Sequence, residues 1–274
     1  MIPDRTENPK RSAALARQTG EPLAQVVVGG GIVGSGVAPD PPMRGLKVGL
    51  VEQHDFAFGT SSRSSRLLHG GLRYLAQGHI GLVHEASVEK KVIHHIAPHL
   101  GEPLGFIFPA YQGEGPPLWQ LRIGVKIYDL LCGGRNFQPS RGFSRPETLQ
   151  MLPALKAEKL RGAVRYFDAL TNDARLVLDT MRSAEKHGAT VLNYTRYGTG
   201  RQAGGMWVCE IEDRATGVRH DVRARTVVNA TGPWADGLPH SAVHLRLTKG
   251  IHLVIDRRRL PTPSAVVITE GKRL

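Results

Sequence analysis

Only two cysteines, Cys132 and Cys209, occur in the 274 residues. So small a number excludes a disulfide framework, and neither stands in a C-x-x-C spacing, which suits a reducing compartment. Aromatic residues make up 6% of the chain, and no basic stretch is interleaved with them as single-strand nucleic-acid binding requires. No uninterrupted apolar run reaches the length of about 18 residues expected of a membrane-spanning helix, so any membrane contact would be peripheral. Residues 1–22 are polar and mixed in charge, without the apolar core of a signal peptide, and are expected to form a disordered tail. Internal repeats and low-complexity tracts are also absent.

What the chain does have is apolar content, 41%, and an excess of cations, 36 Lys and Arg against 24 Asp and Glu. The first is ample for a packed core in one large or two modest domains. The second, a formal charge of +12, implies attraction to phosphorylated metabolites, anionic lipid or nucleic acid. The cations are dispersed, with a tight run at Arg257–Arg259, and no nucleic-acid partner is expected.

The most informative stretch runs from Gln25 to Glu52, QVVVGGGIVGSGVAPDPPMRGLKVGLVE. A β-branched run leads into a glycine turn, a short apolar segment and a second strand over Leu46–Val51, closed by Glu52. That context raises G-x-G-x-x-G, here Gly29, Gly31 and Gly34, to a dinucleotide-binding fingerprint. Gly29 permits the tight turn, Gly31 the approach of backbone N–H groups to a pyrophosphate, and Gly34 close helix–strand packing. The helix N-terminus adds orphan N–H groups and partial positive charge. Glu52, at the end of the second strand, can accept both hydroxyls of an adenosine ribose and would repel a 2′-phosphate, which favours NAD or FAD over NADP. Pro39, Pro41 and Pro42 fall where this helix should continue, and an interior proline costs about 3 kcal/mol. The helix is therefore expected to span Ile32 to Ala38 and then break.

The next stretch, HDFAFGTSSRSSRLLHGGLRYL from His54 to Leu75, gathers the hydroxyls of Thr60, Ser61, Ser62, Ser64 and Ser65, three arginines and a His-Gly-Gly. It can offer donors to a phosphate or a flavin edge, with glycines allowing close approach. Composition alone leaves a solvated serine-rich loop equally open.

The segments GGGIVGSG, GLKVGLVE and DFAFGTSSRSSRLLHGGLRYL resemble the flavin-dependent, aerobic-type glycerol-3-phosphate dehydrogenases, within the superfamily that includes D-amino-acid oxidases. EASVEKKVIHHIAPHL, LRIGVKIYDLL, YFDALTNDARLVL, VVNATGPWAD and RLTKGIHLVI follow in the same order, so the resemblance covers nearly everything from Val26 onward. It implies an α/β fold: a Rossmann-like, glutathione-reductase-type FAD-binding domain over 23–100 and 160–240, with part of a mixed α+β substrate domain over 101–159 and 241–274. It implies FAD as cofactor and sn-glycerol 3-phosphate as substrate, oxidised to dihydroxyacetone phosphate with a quinone as electron acceptor. Gly29, Gly31, Gly34 and Glu52 match positions at the ADP half of FAD. Thr60, Ser61, Ser62 and Ser64, with His69, Gly70, Gly71 and Leu72, match those around the pyrophosphate and isoalloxazine. Gly232, in Thr231-Gly232-Pro233-Trp234, matches a return of the chain to the flavin.

Arg73 and Tyr74 match substrate-site positions, and a guanidinium suits a phosphate dianion. His252 in KGIH matches an active-site histidine and is the candidate base, since imidazole titrates near neutral pH. A cytoplasmic protein, peripheral on the inner face of the membrane, is implied, and a homodimer is compatible with this. Other members of the family continue beyond KGIHLVI, so the expectation is a substrate domain truncated near Leu274. An oxidase passing electrons to oxygen and an inactive flavin-binding remnant are the alternatives.

Elsewhere, His79–Leu100 reads as a helix with apolar residues at Leu82, Ala86, Ile93, Ala97 and Leu100, ended by Pro98 and Gly101. His95 and His99 have metal-ligand spacing, but Pro98 breaks the helix there, no carboxylate joins them, and no metal is expected. Leu118–Leu131 reads as an amphipathic helix with Leu118, Leu121, Val125 and Tyr128 on one stripe and Arg122, Lys126 and Asp129 on the other face. Asn172 or Asp173 caps a helix running to His187 and ended by Gly188. Strands are expected over Thr190–Tyr194, Met206–Ile211, Val218–Ala224 and Thr226–Ala230.

Overall fold

The structure, a computed structural model, describes residues 9–133, 136–262 and 264–268. The chain begins with α1 (Pro9–Gly20), β1 (Leu23–Val28), α2 (Ile32–Val37), α3 (Asp40–Met43) and β2 (Val48–Val51). It continues through β3 (Leu67–Leu68), α4 (Leu72–Ala76), α5 (Ile80–Ile96), β4 (Glu102–Tyr111) and α6 (Leu118–Leu131). Next come β5 (Arg141–Ser144), α7 (Arg145–Met151), β6 (Leu160–Leu170) and α8 (Asp173–Lys186). The last elements are β7 (Thr190–Leu192), β8 (Thr195–Ala203), β9 (Met206–Asp213), β10 (Arg219–Asn229) and β11 (Ala265–Val266). They form two compact α/β units, Met1–Ser64 with Asn172–Gly250, and Ser65–Thr171 with Ile251–Leu274.

The first unit is built on a six-stranded sheet of order β7-β2-β1-β10-β9-β8. β7, β2, β1 and β10 run parallel, while β9 and β8 are antiparallel additions. Val26, Val27 and Val28 are all buried because both faces of β1 are covered, as a near-continuous apolar run in a parallel strand implies. On one face Val27, Val48 and Leu50 pack with Val177, Met181 and Ala184 of α8. On the other, Val26, Val28 and Val51 pack with Tyr197, Cys209, Ile211 and Val222. Each fully buried aliphatic side chain contributes roughly 1.5–3 kcal/mol relative to exposure. α8 starts where the sequence indicates: Asn172 Oδ1 accepts the N–H of Arg175 at 3.2 Å, and Gly188 follows at φ +101°.

The second unit carries a five-stranded sheet with β11-β4-β6-β3 in order and β5 paired to β6. Phe106, Phe108, Val164 and Tyr166 of this sheet pack against Val83 of α5 and Leu121, Val125 and Tyr128 of α6. α7 is entered through a capping box, with Ser144 and Glu147 exchanging side-chain and backbone hydrogen bonds.

Several expectations are corrected. Residues 9–20 of the expected disordered tail form α1, which buries Ala14 and Gln18 and ties itself to the sheet through Arg11 and Asp213 at 2.6 Å; residues 1–8 lie outside the described residues, as does the terminal GKRL. The expected unit boundaries near 100, 160 and 240 shift to 64, 172 and 250. The cause is β6, whose pairing with β3, β4 and β5 carries α5 and all of Leu160–Leu170 into the second unit. Val218–Ala224 and Thr226–Ala230 are one strand, β10, antiparallel to β9 over Arg219–Ala224 and parallel to β1 over Ala224–Asn229. α2 stops at Val37 and the prolines do little harm, because Pro39 caps α3 and Pro41 and Pro42 fall in its first turn, where no intrahelical N–H is needed.

Two helix faces also differ. α5 buries Val83, Ser87 and Lys90 and leaves Leu82 exposed, so two of the three residues it turns inward are polar. On α6 the stripe of Leu121, Val125 and Tyr128 is buried as expected. Lys126 and Asp129 are instead engaged by the backbone of Ser140. A second apolar row, Trp119, Ile123, Ile127 and Leu130, stands exposed.

Candidate functional site

β1 ends at Val28, where Gly29 takes φ +114° and a Cβ would collide with the carbonyl oxygen of Ala230. Gly31 is the N-cap of α2, in extended conformation, so the chain passes from strand to helix in three residues. At Gly34 a Cβ would collide with the Gly29 carbonyl. The turn therefore closes only with glycine at both places. A Cβ at Gly31 would meet no heavy atom nearer than Ser61 Oγ, 3.4 Å away, so the chain itself leaves room there for a side chain.

Glu52 follows β2 directly. One carboxylate oxygen accepts the N–H of Gly30 and the other the N–H of His54, both at 2.8 Å. These bonds hold the glycine turn and the chain after β2 to one anion, and each oxygen keeps a lone pair for a further donor. The Glu52 backbone pairs with β7 through Leu192 O and with Thr195 N.

The hydroxyl-rich segment divides. Thr60, Ser61 and Ser62 form a single 3₁₀ turn. Ser61 Oγ, buried, accepts the N–H of Ile32 at 3.0 Å and so satisfies one orphan donor at the start of α2. Ser62 Oγ donates to Ala57 O and Ser64 Oγ to Asp173, so these hydroxyls are spent on the fold. Sequence alone offers no means of separating Ser61 from Ser62, since the assignment depends on which face of the turn meets α2.

Gly29, Gly31, Glu52, Thr60, Ser61 and Gly232 line one cleft of about 890 Å³ in the first unit. Gly34 is buried and does not line it. The cleft also takes in His54, Thr195, Arg196 and Tyr197, which the sequence did not single out. His54 follows β2, and the other three open β8, which is glycine-containing and weakly patterned. Burial, followed by its hydrogen-bonded neighbour Cys209, pushes the Tyr197 phenol well above its ordinary range, so it is a neutral group throughout the physiological range. A cleft with a helix N-terminus, a carboxylate and backbone donors suits a dinucleotide.

His69, Gly70, Gly71, Leu72, Arg73, Tyr74 and His252 lie in the second unit. Gly71, at φ +73°, is the N-cap of the five-residue α4, which carries Leu72, Arg73 and Tyr74. The Arg73 guanidinium stands over the Tyr74 ring, 5.4 Å from its centroid. His252 is exposed in a stretch without regular secondary structure.

A family model described as FAD dependent oxidoreductase matches residues 25–272. The aerobic glycerol-3-phosphate dehydrogenase of Staphylococcus haemolyticus (strain JCSC1435) is 38% identical over 257 residues, covering 90% of this chain and 46% of the relative. That of Staphylococcus aureus (strain USA300) is 39% identical with the same coverage. The chain thus spans about half the length of the curated relatives it matches. Among solved structures, the glycerol-3-phosphate dehydrogenase from Bacillus halodurans complexed with FAD is similar at a TM-score of 0.64 and 31% identity, over 83% of this chain and 38% of that one. The L-proline dehydrogenase of P. horikoshii shares the fold, at a TM-score of 0.60 and 20% identity, over 80% of this chain and 55% of that one.

Proposed function

Because the chain belongs to the FAD-dependent oxidoreductase family, we propose that it holds FAD in the first unit's cleft and oxidises sn-glycerol 3-phosphate to dihydroxyacetone phosphate. The observation that carries this reading is the meeting of both halves of the fingerprint at one cleft. Glu52 accepts the N–H of Gly30 within a glycine turn that tolerates no Cβ at Gly29 or Gly34. The residues present fit FAD: Gly31 leaves its approach open, and the first turn of α2 offers N–H groups for the pyrophosphate. Glu52, with a lone pair free on each oxygen, serves the ribose hydroxyls. Thr60 and Ser61 line the same cleft, and Gly232 allows backbone approach.

FAD, when bound, supplies the two-electron acceptor for a hydride from C2 of the substrate. The protein does the rest. Arg73 engages the phosphate, which its fixed, always-charged fork matches bidentately. Tyr74, stacked beneath that guanidinium, orients it. His252 takes the proton from the C2 hydroxyl. The charge of +12 favours capture of a dianionic substrate from solution.

The electrons pass to a quinone. Support for a site of action at a membrane comes from the exposed row Trp119, Ile123, Ile127 and Leu130 on α6, flanked by Arg122 and Lys126. This row suits peripheral contact with an anionic surface. Among the described residues no helix is long and apolar enough to cross a membrane.

The test is the visible spectrum of the FAD-loaded chain before and after anaerobic addition of glycerol 3-phosphate. Bleaching of the flavin bands is expected, with reoxidation by a soluble quinone and little peroxide in air. Rapid peroxide formation would establish an oxidase instead, and a flavin spectrum unmoved by glycerol 3-phosphate would leave a binding remnant.

A further inference from the structure

Beneath the His69-Gly70-Gly71 turn lies a buried polar network that the proposed chemistry does not use. Lys90 of α5, Tyr128 of α6 and Asp168 of β6 come from three separate elements and are all at most 2% exposed. Lys90 Nζ donates to Asp168 Oδ1 at 2.8 Å, and Tyr128 Oη donates to the same oxygen at 2.6 Å. The backbone N–H of Gly70 donates to Tyr128 Oη at 2.8 Å and stands 3.3 Å from Asp168 Oδ1. Lys90 also reaches Asn136 Oδ1 and Phe167 O at 3.3 and 3.4 Å, and lies over the rings of Tyr128 and Phe137. A Cβ at Gly70 would run into Tyr128 Oη and Ser87 Oγ.

A buried ion pair is weak evidence for stability, because well-packed apolar residues of similar volume do as well or better. Its use here has to be sought in what it fixes. The end of the network is one backbone donor, Gly70 N–H, one residue before the left-handed Gly71 that starts α4. Resting on the reading of Arg73 and Tyr74 as phosphate-site groups, we propose that Tyr128, Asp168 and Lys90 are positioning residues. They anchor the Gly70 amide and thereby set where α4 presents Arg73 and Tyr74. Tyr128 is the direct link, Asp168 orients its hydroxyl, and Lys90 holds the Asp168 carboxylate in place. Burial and the neighbouring Asp168 charge raise the phenol far above its ordinary range, so Tyr128 remains a neutral donor and acceptor at every working pH.

The experiment is hydrogen–deuterium exchange on the full FAD-loaded chain and on Tyr128→Phe, which removes one oxygen and keeps the ring, with steady-state kinetics on both. Exchange in the segment 66–76 is expected to rise at least tenfold, while peptides from α5, α6 and the first unit keep their protection. KM for glycerol 3-phosphate should rise about tenfold with kcat changing less. Unchanged exchange in 66–76, or an equal rise throughout α5 and α6, overturns the assignment. Should Tyr128→Phe fail to fold, the charge-free pair Lys90→Met with Asp168→Leu removes the network without stranding a charge, and the same exchange signature is expected. The exchange result stands apart from the substrate: a parent chain that does not respond to glycerol 3-phosphate defeats the proposed function, while the protection of 66–76 still decides the anchoring.

Discussion

Two glycine turns in this chain are held by carboxylates, and they are held differently. In the first unit Glu52 sits at the cleft wall, half-exposed, and receives Gly30 N–H and His54 N–H with nothing else between. In the second, Asp168 is fully enclosed, and reaches Gly70 chiefly through the hydroxyl of Tyr128 with Lys90 neutralising it. A carboxylate that must receive a ligand keeps open lone pairs and water; one that only holds a loop can be buried, at the cost of a matching cation. On the proposed reading, the contrast separates a group that binds from a group that supports.

The sharpest way to break the comparison is to strand a charge. Asp168→Ala leaves Lys90 buried without its partner, and a loss of about 3–5 kcal/mol in urea-unfolding free energy is expected. Glu52→Ala, at the open site, should cost well under half of that. Equal losses would mean that the two carboxylates do the same job. Next in size is Gly34→Ala, whose Cβ has no room against the Gly29 carbonyl. A stability loss of about 2–3 kcal/mol is expected from the forced shift, together with a loss of FAD retention on gel filtration.

Smaller again is the clamp of α1. Burial raises the Asp213 carboxyl, but the hydrogen bond and charge of Arg11 and the N–H of Ala215 outweigh it, and the group lies below its usual range. A depressed carboxylate contributes stability that is present above its unfolded pKa, near 4, and is lost as the pH falls through the lower folded value. Arg11→Met should therefore cost about 1–3 kcal/mol at pH 7, with the difference from the parent shrinking below pH 4 in acid-unfolding curves. The smallest effect is expected at the prolines. Pro41→Ala should lower the unfolding free energy by no more than about 1 kcal/mol, through a freer unfolded chain; a gain in stability would show that the ring strains α3 after all.

What could be read in the sequence was what is local. Gly29, Gly31, Gly34 and Glu52 lie within one strand–turn–helix–strand passage, so their meeting around one turn follows from spacing alone. The Asn172 cap and Gly188 stop of α8 are legible for the same reason. The network under Gly70 was not, because Lys90, Tyr128 and Asp168 are brought together only by packing. Lys90 even reverses the pattern of α5: periodicity places Leu82 and Ala86 inside, and the pairing with Asp168 turns Val83, Ser87 and Lys90 inward instead. α1 was hidden because its buried face consists of Ala14 and Gln18 with a charged clamp, too little apolar surface to register as a periodic signal. β10 was divided in two since its change of partner, from β9 to β1, leaves no mark on propensity. The prolines were legible as a break, while their accommodation at the start of α3 depended on a turn that only the fold defines.

The claim on which the rest depends is that the glycine turn and Glu52 together form a dinucleotide site. It is tested most directly by fluorescence titration of FAD into the full chain, beside Glu52→Gln. Saturation at one equivalent is expected, with Kd weakened about tenfold by the substitution, the equivalent of about 1.4 kcal/mol for one lost charge-assisted interaction. Folded protein that shows no saturable binding, or binding that Glu52→Gln leaves untouched, would contradict it.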